Sequence, residues 1–255
     1  MQGPGRGAGA ARAPGVRSSQ SPFIATHDAD DLSDPRRLEK QMAYMNANPK
    51  CIIVGSWARK IDENGWLIGS IEWPKATKPI RLALNFNNPF VHSATLLRKD
   101  AVLKTGNYND GGTIILCNDY ELWSRMAPFG DLHNIQEPLV SYRVNSTGVT
   151  GTQGIAMGRQ ACSIAIRTTE ASLSRRLSDP DRQLFSLFFG RHHRISVTEA
   201  FHLYRILLRL FVSTGYPRPR RGISWRRWLA LIVWIVRAPQ QSTHLWENDE
   251  IPEIS

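Results

Sequence analysis

The sequence predicts an α/β protein, with a mixed sheet flanked by helices over residues 1–150 and a mainly helical C-terminal region after it. Three observations carry this expectation. Short runs rich in β-branched residues, such as Cys51-Ile52-Ile53-Val54, alternate with segments of helical period. An acidic cluster, Asp28-Ala29-Asp30-Asp31, follows the first apolar run, where the carboxyl end of a strand would deliver charge to solvent. Beyond about residue 155 only helical periodicity remains.

Taken in order, Phe23 to Thr26 reads as a buried strand that leads through His27 into the acidic cluster. Ser33-Asp34-Pro35 supplies an N-cap and a proline at the first helical position, and Leu38, Met42 and Met45 recur at helical spacing, which predicts a helix from about 34 to 47. Asn48-Pro49 ends it, and Cys51 to Trp57 reads as a buried strand. The turn signal Asp62-Glu63-Asn64-Gly65 separates two short runs, as in a hairpin. Val91 to Arg98 is a further strand and Asn107 to Gly112 a loop. Asp119 opens a helix in which Leu122, Trp123 and Met126 share a face and Gly130 stops the run. Pro138 to Arg143 reads as a short strand, followed by a Gly/Thr/Ser loop to about Gly154.

The helical stretch from about 155 to 215 is interrupted near Ser178-Asp179-Pro180. Pro217, Pro219 and Gly222 then break the chain before Ser224 to Arg237, in which tryptophans and aliphatics are flanked by arginines. That segment suits either a helix lying in a bilayer surface or one docked on the core. The last 18 residues, polar and acidic, read as disordered. The expected division is a domain over 1–150, a helical extension over 151–216, and a basic amphipathic segment with an acidic tail over 217–255.

At 42% hydrophobic residues the chain can bury a sizeable core. Cys51, Cys117 and Cys162 are scattered and without a CxxC or Cys/His pairing, so neither a disulfide framework nor a zinc site is indicated and a reducing compartment is expected. The first 20 residues hold no apolar run of the kind a secretory signal needs. The longest apolar run, Trp228 to Val236, falls short of the roughly 20 residues of a spanning helix. The net charge of +10 is uneven: residues 1–150 carry 17 basic and 14 acidic groups, whereas residues 151–237 carry 15 and 4. All 15 are arginines, whose planar fork of donors suits phosphates, so an anionic neighbour is expected, either lipid head groups or nucleic acid.

The stretch FIATHDADDLSDPRRLEKQMAYMNANPKCIIVGSW resembles a segment of glycosyltransferase family 2 in which a strand ends in a DxD-type motif and a helix and strand follow. NPFVHSATLLRKDAVLKTGNYND is similar to that family's acceptor-side strand and loop, NDYELWSRMAPFG to its "ED" helix, and EPLVSYRVNSTGVT to its closing strand and loop. Four blocks in the family's order argue against chance. The resemblance spans roughly residues 10 to 150 and implies a GT-A-like fold, here partial and N-terminally shortened, with nucleotide at one end of the sheet and acceptor at the other. In the family the base-binding strands precede the DxD motif, and only 27 residues precede Asp28 here. AARAPGV at 10–16 resembles the end of that region, with Arg12 at the family's arginine and Ala13-Pro14 in place of its usual pair.

The chemistry asks for three groups. A nucleoside diphosphate leaving group gains negative charge in the transition state, and a divalent ion held by carboxylates neutralises it. Hard cations such as Mg²⁺ or Mn²⁺ prefer oxygen ligands, which Asp28 and Asp30 supply. By resemblance Asp28 would reach the donor's ribose or the metal, Asp30 would bind the metal, and Asp31 would shape the donor sugar's site; the alternative is that these acids simply favour the N-terminus of the next helix. The acceptor hydroxyl needs a general base, and the matched position is Asp119, with helix capping as its alternative. The family's glutamate beside it is here Asn118, which loses charge. The histidine that completes the family's metal shell is here Asn145, an amide that ligates more weakly. His92 falls on the acceptor-side strand, where it would meet sugar hydroxyls or diphosphate or serve structurally, and Trp123 is placed on the acceptor side or in the core.

The resemblance therefore implies an inverting glycosyltransferase that moves a sugar from a nucleotide-sugar donor to a glycan or lipid-linked acceptor with Mg²⁺ or Mn²⁺. It would belong to polysaccharide biosynthesis, in the cytoplasm, peripheral on the inner face of the cell membrane. The rivals are a shortened, weak or inactive homologue and a basic nucleic-acid-binding protein, the second lacking any accompanying nucleic-acid motif.

Overall fold

The computed structural model describes residues 7–109, 114, 116–145, 153–189 and 197–214. In chain order the elements are α1 (Ala8–Ser18), β1 (Phe23–Ala25), β2 (Leu32–Ser33), α2 (Arg37–Ala47), β3 (Cys51–Ile61), β4 (Leu67–Ile71), α3 (Thr77–Ala83), a 3₁₀ turn (His92–Ala94), β5 (Leu96–Arg98), α4 (Lys99–Lys104), α5 (Asn118–Met126), a second 3₁₀ turn (Ala127–Phe129) and β6 (Asp131–Arg143), then α6 (Gly154–Leu173), α7 (Asp179–Phe189) and α8 (Val197–Ser213). The mixed α/β architecture and the helical C-terminal region are as the sequence implies.

The sheet runs β1-β5-β3-β6-β2, with β4 paired to β3. β3 and β6 are parallel, and every other pairing is antiparallel. β3 is the central strand because its residues Cys51 to Ser56 are buried on both faces, which explains its unbroken apolar reading. Gly55 is required there by contact: a Cβ would lie 2.2 Å from the Asn134 side-chain oxygen and 2.7 Å from the Phe90 ring. The hairpin stands where the turn signal put it, with Gly65 at φ 90° and Asp62 accepting the backbone N–H groups of Asn64 and Trp66.

Four elements depart from expectation, each for a local reason. β1 is an edge strand, half-buried and paired only to β5. α2 starts at Arg37, because Leu32 and Ser33 pair with β6 and Asp34 closes a turn by accepting from the backbone N–H groups of Arg36 and Arg37. The strand expected over Val91 to Arg98 begins as a 3₁₀ turn, and only Leu96–Arg98 is extended. β6 is far longer than Pro138 to Arg143. Its first half carries buried polar residues that disguise it: His133 stacks on Tyr44 with centroids 3.9 Å apart, and the Asn134 amide donates to the carbonyls of Pro74 and Pro89. Pro138 has no N–H for the ladder, and the register shifts where it faces Trp57.

α1 lacks helical periodicity in sequence and contains Pro14, yet it forms because Ala10, Ala13 and Val16 are buried. The main core joins Val16, Ile53, Leu97, Leu132 and the α5 face of Leu122, Trp123 and Met126. α6, α7 and α8 close a second core over Leu82 and Phe86, built on Leu184, Phe185, Ile206 and Leu210. No helix among the described residues is long and apolar enough to cross a membrane, and Ser224 to Arg237 lies outside the described residues.

Candidate active site

The acidic cluster follows β1 and is gathered by three neighbours. The 3₁₀ turn supplies Ser93, whose hydroxyl accepts from the Asp28 N–H at 3.1 Å. The end of β6 supplies the Arg143 N–H, which donates to Asp31 Oδ1 at 2.8 Å, while the Arg143 guanidinium donates to the carbonyls of Asp30, Asp62 and Glu63. Beneath the cluster, the buried Arg37 of α2 donates to the carbonyls of Thr26 and Ser93.

A chain of polar side chains then crosses the site. Arg12 on α1 donates to Asn118 Oδ1 at 3.0 Å and to Asp28 Oδ1 at 2.7 Å. Asp28 Oδ2 lies 3.2 Å from His92 Nδ1, and His92 Nε2 lies 3.3 Å from the Tyr108 hydroxyl. A carboxylate only accepts, so Nδ1 carries a proton toward Asp28, while Nε2 faces the Tyr108 hydroxyl. Burial alone would push the Asp28 carboxyl up, but the His92 hydrogen bond and the His92 and Arg12 charges hold it well below the usual range. Burial pushes the Tyr108 phenol up, opposed by Arg12 and reinforced by the Asp119 and Asp28 carboxylates, so the hydroxyl stays protonated.

At the other end, Asp119 sits in the first turn of α5, where the helix dipole favours negative charge. Asn88 Nδ2 donates to Asp119 Oδ2 at 2.8 Å, and among the described residues no hydrogen bond reaches Asp119 Oδ1. That oxygen is available to take a proton. The loop opposite is fixed by Asn107, at φ 64°, whose amide donates to Ala13 O at 2.9 Å, and by Arg125, which spans Glu121 and the carbonyls of Thr105 and Asn107.

The structure thus brings together Arg12, Asp28, His92 and Asn118, with Asp119 beside Asn118 on α5. Both oxygens of Asp28, expected to reach the donor's ribose or the metal, are engaged in this structure, by Arg12 and His92. Asp30 is exposed, and Asp31 is buried with Oδ2 lacking a hydrogen-bond partner among the described residues. Burial raises the Asp31 carboxyl, opposed by Ser93 and the Arg143 N–H and reinforced by the Asp30 and Asp28 charges. Asp30, with the orphaned Asp31 oxygen beside it, fits a divalent cation. No cluster of three His, Cys, Asp or Glu side chains is set to hold a metal by itself among the described residues, so remaining ligands would come from substrate phosphates. Asn145 lies two residues past Arg143, at the end of β6 that meets Asp30.

Trp123 is fully buried and contributes no face to an acceptor. It supports the site from beneath, with its ring 6.5 Å from His92 and 6.4 Å from Tyr108. His92 turns inward onto Asp28 and Tyr108. Among the described residues His27 hydrogen-bonds to no side chain of the site; its Nε2 lies 3.1 Å from the Asp31 carbonyl oxygen. Asn88, Ser93 and Tyr108 were not singled out from sequence. The only signal was the position of Asn88 and His92 in one short block, Asn88-Pro89-Phe90-Val91-His92.

A curled mixed sheet carries an acidic cluster at the end of its first strand and a second carboxylate at a helix start, the arrangement of a GT-A-like fold. Residues 2–106 match the model of "Glycosyl transferase family 2". It is 36% identical over 143 residues to the O-antigen biosynthesis glycosyltransferase WbnJ of Escherichia coli, covering 55% of this chain and 53% of that protein. It is 30% identical over 149 residues to the amylovoran biosynthesis glycosyltransferase AmsE of Erwinia amylovora, covering 58% and 54%. The chain thus spans about half the length of the curated relatives it matches. Among solved structures, Staphylococcus aureus TarS 1-349 in complex with UDP-GlcNAc aligns with a TM-score of 0.50 at 9% identity, covering 91% of this chain and 68% of that one, which speaks for the fold alone.

Proposed function

We propose that the site transfers a sugar from a nucleotide-sugar donor to a hydroxyl of a glycan or lipid-linked acceptor, with inversion at the anomeric carbon. The observation that carries this reading is the placement of Asp119: its carboxylate is anchored through one oxygen by Asn88, has no hydrogen bond at the other among the described residues, and stands beside Asn118, which Arg12 joins to Asp28. Asp119 Oδ1 would take the proton from the acceptor hydroxyl as its oxygen bonds to the anomeric carbon and the bond from that carbon to the diphosphate oxygen breaks. A divalent cation, Mg²⁺ or Mn²⁺, would be held by Asp30 with Asp31 and Asn145 beside it, and when bound supplies positive charge against the departing diphosphate. The Arg12–Asp28–His92–Tyr108 chain would fix the donor-side wall and keep it from moving as charge develops. WbnJ and AmsE carry names of polysaccharide biosynthesis, which supports the same role here.

A second reading has a specific observation in its favour. Asp28 is neutralised by Arg12, and the amide of Asn118 stands where the family carries a carboxylate, an arrangement suited to holding a donor without turning it over. One experiment separates the two. The protein is incubated with a panel of nucleotide sugars and Mn²⁺, and both saturation and release of nucleoside diphosphate are measured. Release that stops in Asp119→Asn supports transfer; saturable binding without release supports the second reading; neither would overturn both. We also propose residence at the inner surface of the cell membrane, with Ser224 to Arg237 at head-group level. Truncation at Pro217 and loss of liposome binding from a soluble remainder would support it, and unchanged binding would overturn it.

A further inference from the structure

We infer that the cleft between α6 and α7 is a second anion site that takes a phosphate group, separate from the candidate active site. The cleft has a volume of about 450 Å³ and is lined by Arg159, Ser163, Arg167 and Glu170 of α6, Arg176 of the connecting turn and Arg182 of α7. Arg159, Ser163, Arg167 and Glu170 fall at helical spacing on one face of α6. Ser174 then adopts a left-handed conformation, φ 50° and ψ 34°, which ends the helix and turns the chain back, so that Arg176 and Arg182 meet that face from the other side.

The single carboxylate of the cleft is already committed. Glu170 Oε1 accepts from the Leu177 N–H at 2.9 Å and from the Arg182 guanidinium, and so holds the turn together. Among the described residues Arg167 has only the distant Glu121, at 4.0 Å. Arg159 and Arg176 have no hydrogen-bonding or ionic partner among the described residues. Four guanidinium groups therefore converge with one neutralised, and the exposed Ser163 hydroxyl adds a donor. Like charges that line one hollow repel unless an anion bridges them, and guanidinium forks match phosphate oxygens in pairs. A solvated arginine face would spread such groups around the helix, whereas here two elements and a helix reversal bring them to one hollow. The ligand chemistry is a phosphate-bearing anion, supplied either free in solution or by lipid head groups.

The test uses the full chain and the variant Arg159→Gln/Arg176→Gln, which removes no ion pair and so leaves the fold untouched. Calorimetric titration with inorganic pyrophosphate is run in EDTA, where a divalent-dependent active site contributes nothing. Flotation is run with phosphatidylglycerol and with phosphatidylcholine vesicles. The expected result is wild-type binding that weakens by about tenfold or more in the variant, the loss of two charge-assisted contacts, with helicity and melting temperature unchanged. Loss confined to pyrophosphate identifies a free phosphate, and loss confined to phosphatidylglycerol vesicles identifies the lipid surface. Binding of neither probe, or equal binding by both proteins, would overturn the site. Turnover of nucleotide sugars is read separately, so failure here leaves the proposed transfer reaction standing.

Discussion

The Asn88 amide donates to Asp119 Oδ2 at 2.8 Å and, among the described residues, is the hydrogen bond that orients the candidate base. Asp119→Asn is expected to lower turnover by roughly 10²- to 10⁴-fold with little change in donor affinity, the range of a lost general base. Asn88→Ala should lower turnover by about tenfold, since the carboxylate loses its orientation but keeps its charge. Steady-state rates with donor affinity measured in parallel check both. Collapse of donor binding in Asp119→Asn, with the residual rate intact, would instead make Asp119 a donor ligand or a cap.

Asp28 and Asp30 should separate under mutation, although they read alike in sequence. Asp30→Asn should abolish Mn²⁺-dependent binding of nucleoside diphosphate while the melting temperature holds, because Asp30 is exposed. Asp28→Asn should also lower stability, by about 1 kcal/mol given its partial exposure, since Arg12 and His92 lose their shared partner. Calorimetry and thermal melts on the two variants decide this. Identical melts would mean the ion pairs contribute nothing measurable.

His133 gives a distinct acid dependence. Burial, with the Lys75 charge adding to it, lowers its pKa from 6.5 to about 4. The unfolded chain therefore binds a proton that the folded chain refuses, so stability is full above pH 6.5 and falls as the pH drops toward 4, by up to about 3 kcal/mol. Asp28, whose pKa is depressed, has the same sign in a lower window, its contribution fading only as the pH falls below the ordinary carboxylate value of 3.8. Denaturant midpoints of wild type and His133→Phe between pH 4 and 7 test this: the variant keeps the Tyr44 stack and should lose the slope.

Gly55→Ala should destabilise by about 1–3 kcal/mol, the usual cost of overpacking. Its methyl would meet the Asn134 side chain at 2.2 Å, and Asn134 is fully buried and committed to Pro74 and Pro89. Because Pro89 neighbours Asn88, lost activity should accompany the lowered melting temperature.

What the sequence disclosed follows from range. α5 was legible because Leu122, Trp123 and Met126 repeat at helical spacing, and β3 because burial on both faces leaves an unbroken apolar run. The first half of β6 was hidden, since His133 and Asn134 are polar residues buried by a ring stack and by two carbonyls some 45 and 60 residues away. α1 was hidden because its buried face is made of Gly9, Ala10 and Ala13, whose small side chains carry almost no periodic signal. In the site, Asp28, Asp30 and Asp119 could be found from local pattern. Their partners could not: Asn88 meets Asp119 across 31 residues and His92 meets Asp28 across 64, contacts that only the folded sheet defines.

The tether from Asn107 to Ala13 has a kinetic meaning. It joins residues 94 apart, and the Arg12 to Asn118 bond beside it joins residues 106 apart. Closing loops of that length costs entropy before any contact is gained, so such pairings form late. The helices, built on local contacts, should appear first in refolding, and the wall that joins Arg12 to Asp28 and Asn118 should be among the last features to lock. Refolding followed by circular dichroism and by recovery of nucleotide binding should therefore show two separate times, binding lagging helicity, and Asn107→Ala should lengthen that lag while leaving the early phase in place.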